Sequence, residues 1–345
     1  MERVRHSGLS QQMKKKVSSS KEKKEEYDGN FGKVISTGST LLDLAISGGR
    51  IRGGGLPGGI LVEIFGPSMS GKTVLLSEIA GDVQRKGGEI KFRDPEARLN
   101  KQFAKLFGLD LKDEDYSRPN TIPELFGPVR SWKPKSLIVV NGYFGDSLTA
   151  LSTDMEMDNK DEYGMRRAKE FSEECRKTCR IIAQNNYLMV CSNQVRDTLA
   201  TFGKKQDSPG GKAIRFYSSL RLETDTKNKI TKIKTVNGKE VKRVIGVNIE
   251  IEVVKSSIWK PFRTAPVTII FDYGIDSVRD NLQFIKNYTN NKVYTLQRKE
   301  LSNEMSKAIK IIEDNQSESI LKEEVIDLWE YIEKQFQSER NPKVR

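Results

Sequence analysis

The sequence predicts an α/β fold: a mainly parallel central sheet covered by helices on both faces, a β-rich later part of that core, and a small, mainly helical C-terminal region. Three observations carry this expectation. Short apolar runs alternate with segments of helical periodicity through the first two thirds of the chain, the pattern of strands joined by crossover helices. A glycine-rich loop lies between one such run, Ile60–Phe65, and one such segment, Lys72–Gln84, the setting of a strand–loop–helix phosphate site. From Leu220 to Phe271 the chain turns β-rich, with the hairpin pair Asn237-Gly238 in its middle.

In chain order, residues 1–33 form a basic N-terminal tail, with Lys14–Lys16 and a serine run at Ser18–Ser20. It reads either as a solvated segment or as a polymerisation segment that docks on a neighbouring subunit. Thr40–Ile46 has helical spacing, and the glycines of 48–59 predict a loop. Lys72–Gln84 repeats Leu75, Leu76, Ile79, Ala80 and Val83 on one helical face. Short strands are expected at Ile90–Phe92, Ser136–Val140 and Tyr187–Cys191, with a helix from about Arg166 to Gln184. The core is bounded at 34–275, and 276–345 is expected as the helical C-terminal domain, with Leu321–Phe336 its clearest helix.

The 345 residues are 36% hydrophobic and 31% charged, a globular composition. No apolar run approaches the ~20 residues of a membrane span, and the N-terminus lacks an apolar signal region, so a cytoplasmic protein without a membrane partner is expected. Cys175, Cys179 and Cys191 read as reduced thiols in or near the core, since the single histidine, His6, is too distant to complete a metal site. The net charge of +12 suggests a polyanionic partner.

Gly66-Pro67-Ser68-Met69-Ser70-Gly71-Lys72-Thr73 fits G-x-x-x-x-G-K-S/T in full. Its backbone N–H groups and the following helix N-terminus suit the phosphates of ATP. Lys72 is placed to reach the β- and γ-phosphates, and the Thr73 hydroxyl to ligate Mg²⁺. Hydrolysis needs a carboxylate to orient water. The strand ending Phe92-Arg93-Asp94-Pro95-Glu96 offers Glu96, with a surface acid as the alternative reading.

Several further segments resemble the RecA family of recombinases in order and spacing. They are Ile35–Ser39, Gly55–Gly59, the phosphate loop, Asp94–Glu96, Asp146–Leu151, Asn193-Gln-Val-Arg196, Pro209–Tyr217, and Val253–Lys255 followed by Lys260–Phe262. The resemblance covers about residues 34–275. It implies a RecA-like ATPase core that binds ATP and Mg²⁺ between subunits. Glu96 would be the catalytic glutamate, and Phe103 would stand where the family stacks a tyrosine on adenine. Gln194 would sense the γ-phosphate, Phe216 would pack into the neighbouring subunit, and Lys255 would reach the neighbour's ATP. The family's second lysine is replaced by Ser257, leaving Lys260 or Arg263 as substitutes. RecA-like chains run directly from apolar strand to Asp-Ser. Here Asn141–Gly145 intervenes and is read as an insertion, with Asp146 the metal-associated carboxylate; a rival alignment puts Asn141 in that place.

The resemblance also implies two DNA-binding loops, at about 157–165 and 195–211. Arg196, Lys204, Lys205, Lys212 and Arg215 would meet DNA phosphates, and Gly210 and Gly211 would let the backbone approach. Tyr163 and Leu199 would wedge between bases, and Arg166 and Arg167 would offset the acids of the first loop. The implied function is homologous recombination and repair. The protein would form a homo-oligomeric helical filament on single-stranded DNA and exchange strands with double-stranded DNA, with DNA-stimulated ATP hydrolysis. Two alternatives remain open from the sequence: an ATP-gated DNA-binding or regulatory protein whose hydrolysis has decayed through the insertion, and a hexameric helicase on the same core.

Overall fold

A computed structural model describes residues 32–153, 165–197, 206–207 and 211–340. Residues 1–31 of the N-terminal tail, Tyr163, Leu199, Lys204, Lys205 and Gly210 lie outside the described residues, as does the side chain of Arg196.

The chain begins with β1 (Val34–Ile35), α1 (Thr40–Ser47), β2 (Leu56–Pro57), β3 (Ile60–Gly66) and α2 (Lys72–Arg85). It continues through β4 (Ile90–Arg93), α3 (Lys101–Leu106), β5 (Tyr116–Ser117), α4 (Ile122–Ser131), β6 (Asn141–Gly145), α5 (Met165–Gln184) and β7 (Tyr187–Gln194). Next come β8 (Arg196–Asp197), β9 (Gln206–Asp207), α6 (Gly211–Tyr217), β10 (Leu220–Val236), β11 (Lys239–Ser256), β12 (Thr264–Ile270) and β13 (Gly274–Ile275). The C-terminal part is α7 (Ser277–Tyr288), the hairpin of β14 (Tyr294–Leu296) and β15 (Lys299–Ser302), α8 (Met305–Asp314) and α9 (Glu318–Gln335).

The main sheet has the order β13-β12-β11-β10-β3-β7-β6-β4-β5. All pairings from β10 through β5 are parallel, and those from β10 to β13 are antiparallel. Alternation explains the apolar runs of the parallel half. Val62, Ile64, Phe144, Leu188 and Val190 belong to one hydrophobic cluster, together with α1, α2 and the C-terminal helices. Leu61, Tyr143, Tyr187, Met189 and Cys191 belong to a second, with α4, α5 and α6. Strands buried on both faces lose the polar alternation that a one-sided sheet shows. The C-terminal helices join the first cluster through Leu282, Ile285, Ala308, Ile312, Leu321, Val325 and Trp329.

One expectation is corrected. The strand expected at 136–140 lies instead at Asn141–Gly145, which is buried throughout, while Leu137 and Ile138 are exposed. Asn141 starts it: Nδ2 donates to Ser136 O at 2.7 Å and Oδ1 accepts from Glu89 N at 2.9 Å. The two glycines hid this strand, because glycine is a poor strand former in isolation. Close packing excludes a side chain at the first and crowds one at the second. A Cβ on Gly142 would meet the Phe144 ring at 2.4 Å, and one on Gly145 would meet Cys191 Sγ at 3.2 Å. Residues 141–145 are therefore the sheet strand itself and not an insertion; the chain runs directly from strand to Asp146-Ser147.

The Asn237-Gly238 turn is left-handed at both residues (φ 51° and 76°), as a tight hairpin requires. No described helix is long and apolar enough to cross a membrane.

Candidate functional site

The phosphate loop leaves the C-terminal end of β3 and enters α2. Gly71 caps the helix at φ 77°, a conformation that strains other residues. Gly66 lies so close to β10 that a Cβ would sit 2.2 Å from Thr224 Oγ1. Ser70 Oγ and Thr224 Oγ1 share a 2.6 Å hydrogen bond. Pro67 is half-buried, while Ser68 and Met69 stand at the exposed crest of the loop. Lys72 is buried, and its ammonium donates to Gly66 O (3.1 Å) and Pro67 O (2.5 Å). Burial pushes its pKa below the ordinary lysine value, against the charges of Asp146 and Glu96.

Strands β4, β6 and β7 end beside the loop, as parallel topology demands, and each delivers a polar group. From β6, Asp146 Oδ2 accepts from Thr73 Oγ1 at 2.7 Å, and Oδ1 accepts from Ser192 Oγ of β7. Burial raises the Asp146 pKa; the two hydroxyl donors oppose that shift. From the turn after β4, Glu96 Oε1 accepts from Gln194 Nε2 (2.8 Å) and Ser147 Oγ (2.6 Å), and Oε2 pairs with Arg98 at 3.0 Å. The structure thus gathers Lys72, Thr73, Glu96, Asp146 and Gln194 at one sheet edge. Gln194 is the last residue of β7, immediately before the second loop segment.

Hydroxyl and carboxylate oxygens such as Thr73 and Asp146 fit a hard cation. Mg²⁺ binds through one or two such protein ligands together with substrate phosphates. No larger group of metal-ligating side chains occurs among the described residues.

Behind this edge runs a polar chain that sequence reasoning missed. Thr149 Oγ1 accepts from Gln194 N at 3.0 Å and donates to Asn193 Oδ1 at 2.8 Å. Asn193 Nδ2 donates to Glu63 Oε1 at 2.9 Å, and Glu63 Oε2 pairs with Arg221 Nε at 2.5 Å. Glu63 is fully buried, and Arg221 stacks 4.3 Å over the Phe65 ring. The local signals were a glutamate inside the apolar run Ile60–Phe65 and the presence of Thr149 and Asn193 in segments already singled out; that they join one another could not be read, because the partners come from distant strands. Ser147 stood in the Asp146–Leu151 segment without an assigned role, and Ser192 carried no distinguishing motif.

Other expected residues are more dispersed. Phe103 on α3 is 41% exposed and packs edge-on to Phe107. Phe216 on α6 is 75% exposed. Lys255 on β11 donates to Arg215 O (2.7 Å) and Phe216 O (2.9 Å), the carbonyls ending α6. Burial, followed by the charge of Arg221, lowers its pKa. Arg263, a proposed substitute for the missing lysine, is held by both oxygens of Glu333 at 2.8 and 2.9 Å; Lys260 lies over the Trp259 ring. Arg166 is exposed in the first turn of α5. Arg167 turns inward, donating to Leu148 O and Thr149 O at 3.2 and 2.8 Å. Lys212 is exposed on α6, Arg215 is half-buried, and Gly211 opens that helix. Arg196 lies in a two-residue ribbon, paired with Asp207.

Comparison with known proteins agrees with this architecture. Residues 12–276 match the family model of the RecA N-terminal domain. Protein RecA of Thermus thermophilus is 34% identical over 256 residues, covering 72% of this chain and 69% of that protein. Protein RecA of Borrelia hermsii is 35% identical over 70% of this chain and 65% of that protein. Protein RecA of Mycoplasma mobile is 31% identical over 74% and 73%. With the phosphate loop, the strand-end carboxylates and Gln194 gathered on a sheet of this order, and with most of the chain matched, this chain belongs to the RecA family.

Proposed function

We propose that the protein is an ATP-dependent homologous recombination and repair protein that assembles as a helical filament on single-stranded DNA and exchanges strands with a duplex. The observation that carries this reading is the pair of hydrogen bonds on Glu96. One comes from Gln194 at the mouth of the second loop, so the group that would orient water and the entrance to a DNA-binding segment share one contact. Glu96 holds the attacking water in line with the γ-phosphate and accepts its proton. Lys72 exchanges its loop carbonyls for phosphate oxygens. Thr73 and Asp146 would hold Mg²⁺, which would supply positive charge against the negative charge that develops on the phosphates. Gln194 trades Glu96 for the γ-phosphate, and that exchange alters the segment beginning at Val195, a two-state coupling of nucleotide to DNA. Lys255 and Phe216 face a neighbouring subunit.

The decayed-hydrolysis alternative depended on a five-residue insertion; the placement of β6 at those residues supports the reading with hydrolysis retained. The test is an ATPase assay with and without single-stranded DNA, with negative-stain imaging of the same samples. DNA-stimulated turnover on helical filaments is expected. Closed rings would favour a helicase, and absence of both turnover and assembly would overturn the reading.

A further inference from the structure

The phosphate loop rests on the antiparallel half of the sheet. β10 pairs with β3 as far as Glu223 and Phe65, and Thr224 is the next residue along it. β11 backs Thr224 at Ile251, so its backbone is held in a ladder rather than in a loop. Three points of the phosphate loop meet this surface. Thr224 lies against Gly66, where a Cβ would sit 2.3 Å from its carbonyl oxygen. Ile249 of β11 and Ile269 of β12 lie against Gly71, where a Cβ would sit 3.3 and 2.4 Å from their Cδ1 atoms. Between these contacts, Thr224 Oγ1 and Ser70 Oγ are 2.6 Å apart. Both side chains are buried, so a hydroxyl left without a partner there would be costly.

The two hydroxyl hydrogens can be placed in two ways, and each leaves both groups paired. In one, Ser70 donates to Pro67 O at 2.8 Å and Thr224 donates to Ser70. In the other, Ser70 donates to Thr224, and Thr224 donates to Phe65 O at 3.3 Å. Lys72 makes the difference consequential. Its ammonium donates to Pro67 O at 2.5 Å and to Ser70 Oγ at 3.3 Å. When Lys72 leaves for the phosphates of a nucleotide, Pro67 O loses that donor. The first arrangement then keeps Pro67 O paired through Ser70, with Thr224 donating to Ser70 in turn.

We propose that Thr224 is a positioning residue for nucleotide binding: through Ser70 it keeps the phosphate loop in one shape whether Lys72 sits on loop carbonyls or on phosphates. It rests on the reading that this loop binds ATP, and it adds a residue on a distant strand that sets the affinity. A preorganised loop binds more tightly because less ordering is lost on binding. Support of this kind acts on bound substrate and transition state alike, so affinity responds more than the chemical step.

The test compares Thr224→Val, which keeps the branched shape and loses the hydroxyl, with Thr224→Ser, which keeps the hydroxyl and loses a methyl. Equilibrium affinity for a fluorescent ATP analogue with Mg²⁺ is measured without DNA. The kcat and KM for ATP are measured with single-stranded DNA. Thr224→Val is expected to weaken nucleotide affinity and raise KM by about three- to tenfold, the worth of one hydrogen bond. Its kcat should move by less than about twofold. Thr224→Ser should stay within about twofold of wild type in affinity and KM. Ser70→Ala should match Thr224→Val, and the double variant should bind no more weakly than Ser70→Ala alone, because both changes remove one contact. Should Thr224→Val not fold, Ser70→Ala removes the same contact from the loop side. Unchanged affinity in these hydroxyl deletions overturns the proposal. So does an equal loss in Thr224→Ser, which would assign the effect to packing, or a double variant whose losses multiply. If the wild-type protein binds nucleotide but neither turns it over nor assembles on DNA, the functional reading fails while the affinity measurement still decides Thr224. A wild-type protein that binds no nucleotide overturns both.

Discussion

The parallel and antiparallel halves of the sheet use polar residues in opposite ways. In the parallel half, β3, β4, β6 and β7 are covered on both faces, and their polar groups sit at strand ends in mutual hydrogen bonds around Lys72, Asp146 and Glu96. In the antiparallel half, β10 and β11 carry charges outward, as where Lys227 pairs with Asp225 and Glu250, and β10 turns one hydroxyl, Thr224, to the phosphate loop. A converging edge suits chemistry on a small charged substrate, and the paired strands beside it suit support of the loop. The two halves meet at Glu63 and Arg221, neighbours across β3 and β10.

The largest break in that comparison is Lys72→Ala. It should abolish ATP-gated DNA affinity altogether, since charge-assisted bonds of about 1.5–3 kcal/mol each are lost at the phosphates. Nucleotide titration with and without DNA measures it, and unchanged ATP-dependent DNA binding would refute the gating role. Glu96→Gln should lower turnover by ~10²–10⁴ while leaving ATP affinity nearly intact, separating chemistry from binding within the parallel half.

Glu63→Gln tests the junction. Removing the fully buried Glu63 carboxylate from Arg221, which is 12% exposed, should cost up to about 3–5 kcal/mol in urea unfolding. The same substitution should weaken the dependence of DNA binding on ATP if the chain from Gln194 to Arg221 links the halves.

On the antiparallel side, Asp43 is buried beside Ser36 and Thr37, and burial raises its pKa from 3.8 to about 6. A folded-state value above the unfolded one means the folded chain binds the proton more tightly. The associated stability is complete below about pH 4 and is lost as pH rises through 6. Asp43→Asn should flatten that pH dependence by on the order of 3 kcal/mol, read from denaturation at pH 4 and pH 7. The smallest effect belongs to Glu323→Gln. It removes one of the three carboxylates around half-exposed Arg52, and an exposed pair is worth about 0.2–1 kcal/mol.

The phosphate loop, β3, α2, the Asn237-Gly238 turn and α9 were legible because each is a local pattern: a fixed glycine spacing, a 3.6-residue period, a two-residue turn. Strand β6 was not. Its residues Asn141–Gly145 look unlike a strand until Phe144 and Cys191 are seen filling the space that their glycines leave, and the more apolar Leu137–Val140 drew the expectation away.

Residue order alone determined the fold class, the phosphate loop and the acids at strand ends, because backbone geometry and hydrophobic period act over a few neighbouring positions. Only the tertiary structure decided that Asp146 follows its strand directly, that Glu96 bridges Ser147 and Gln194, that Glu63 joins Arg221, and that Thr224 meets Ser70. Those outcomes depend on strand register and on contacts between segments far apart in the chain, and no local preference encodes them.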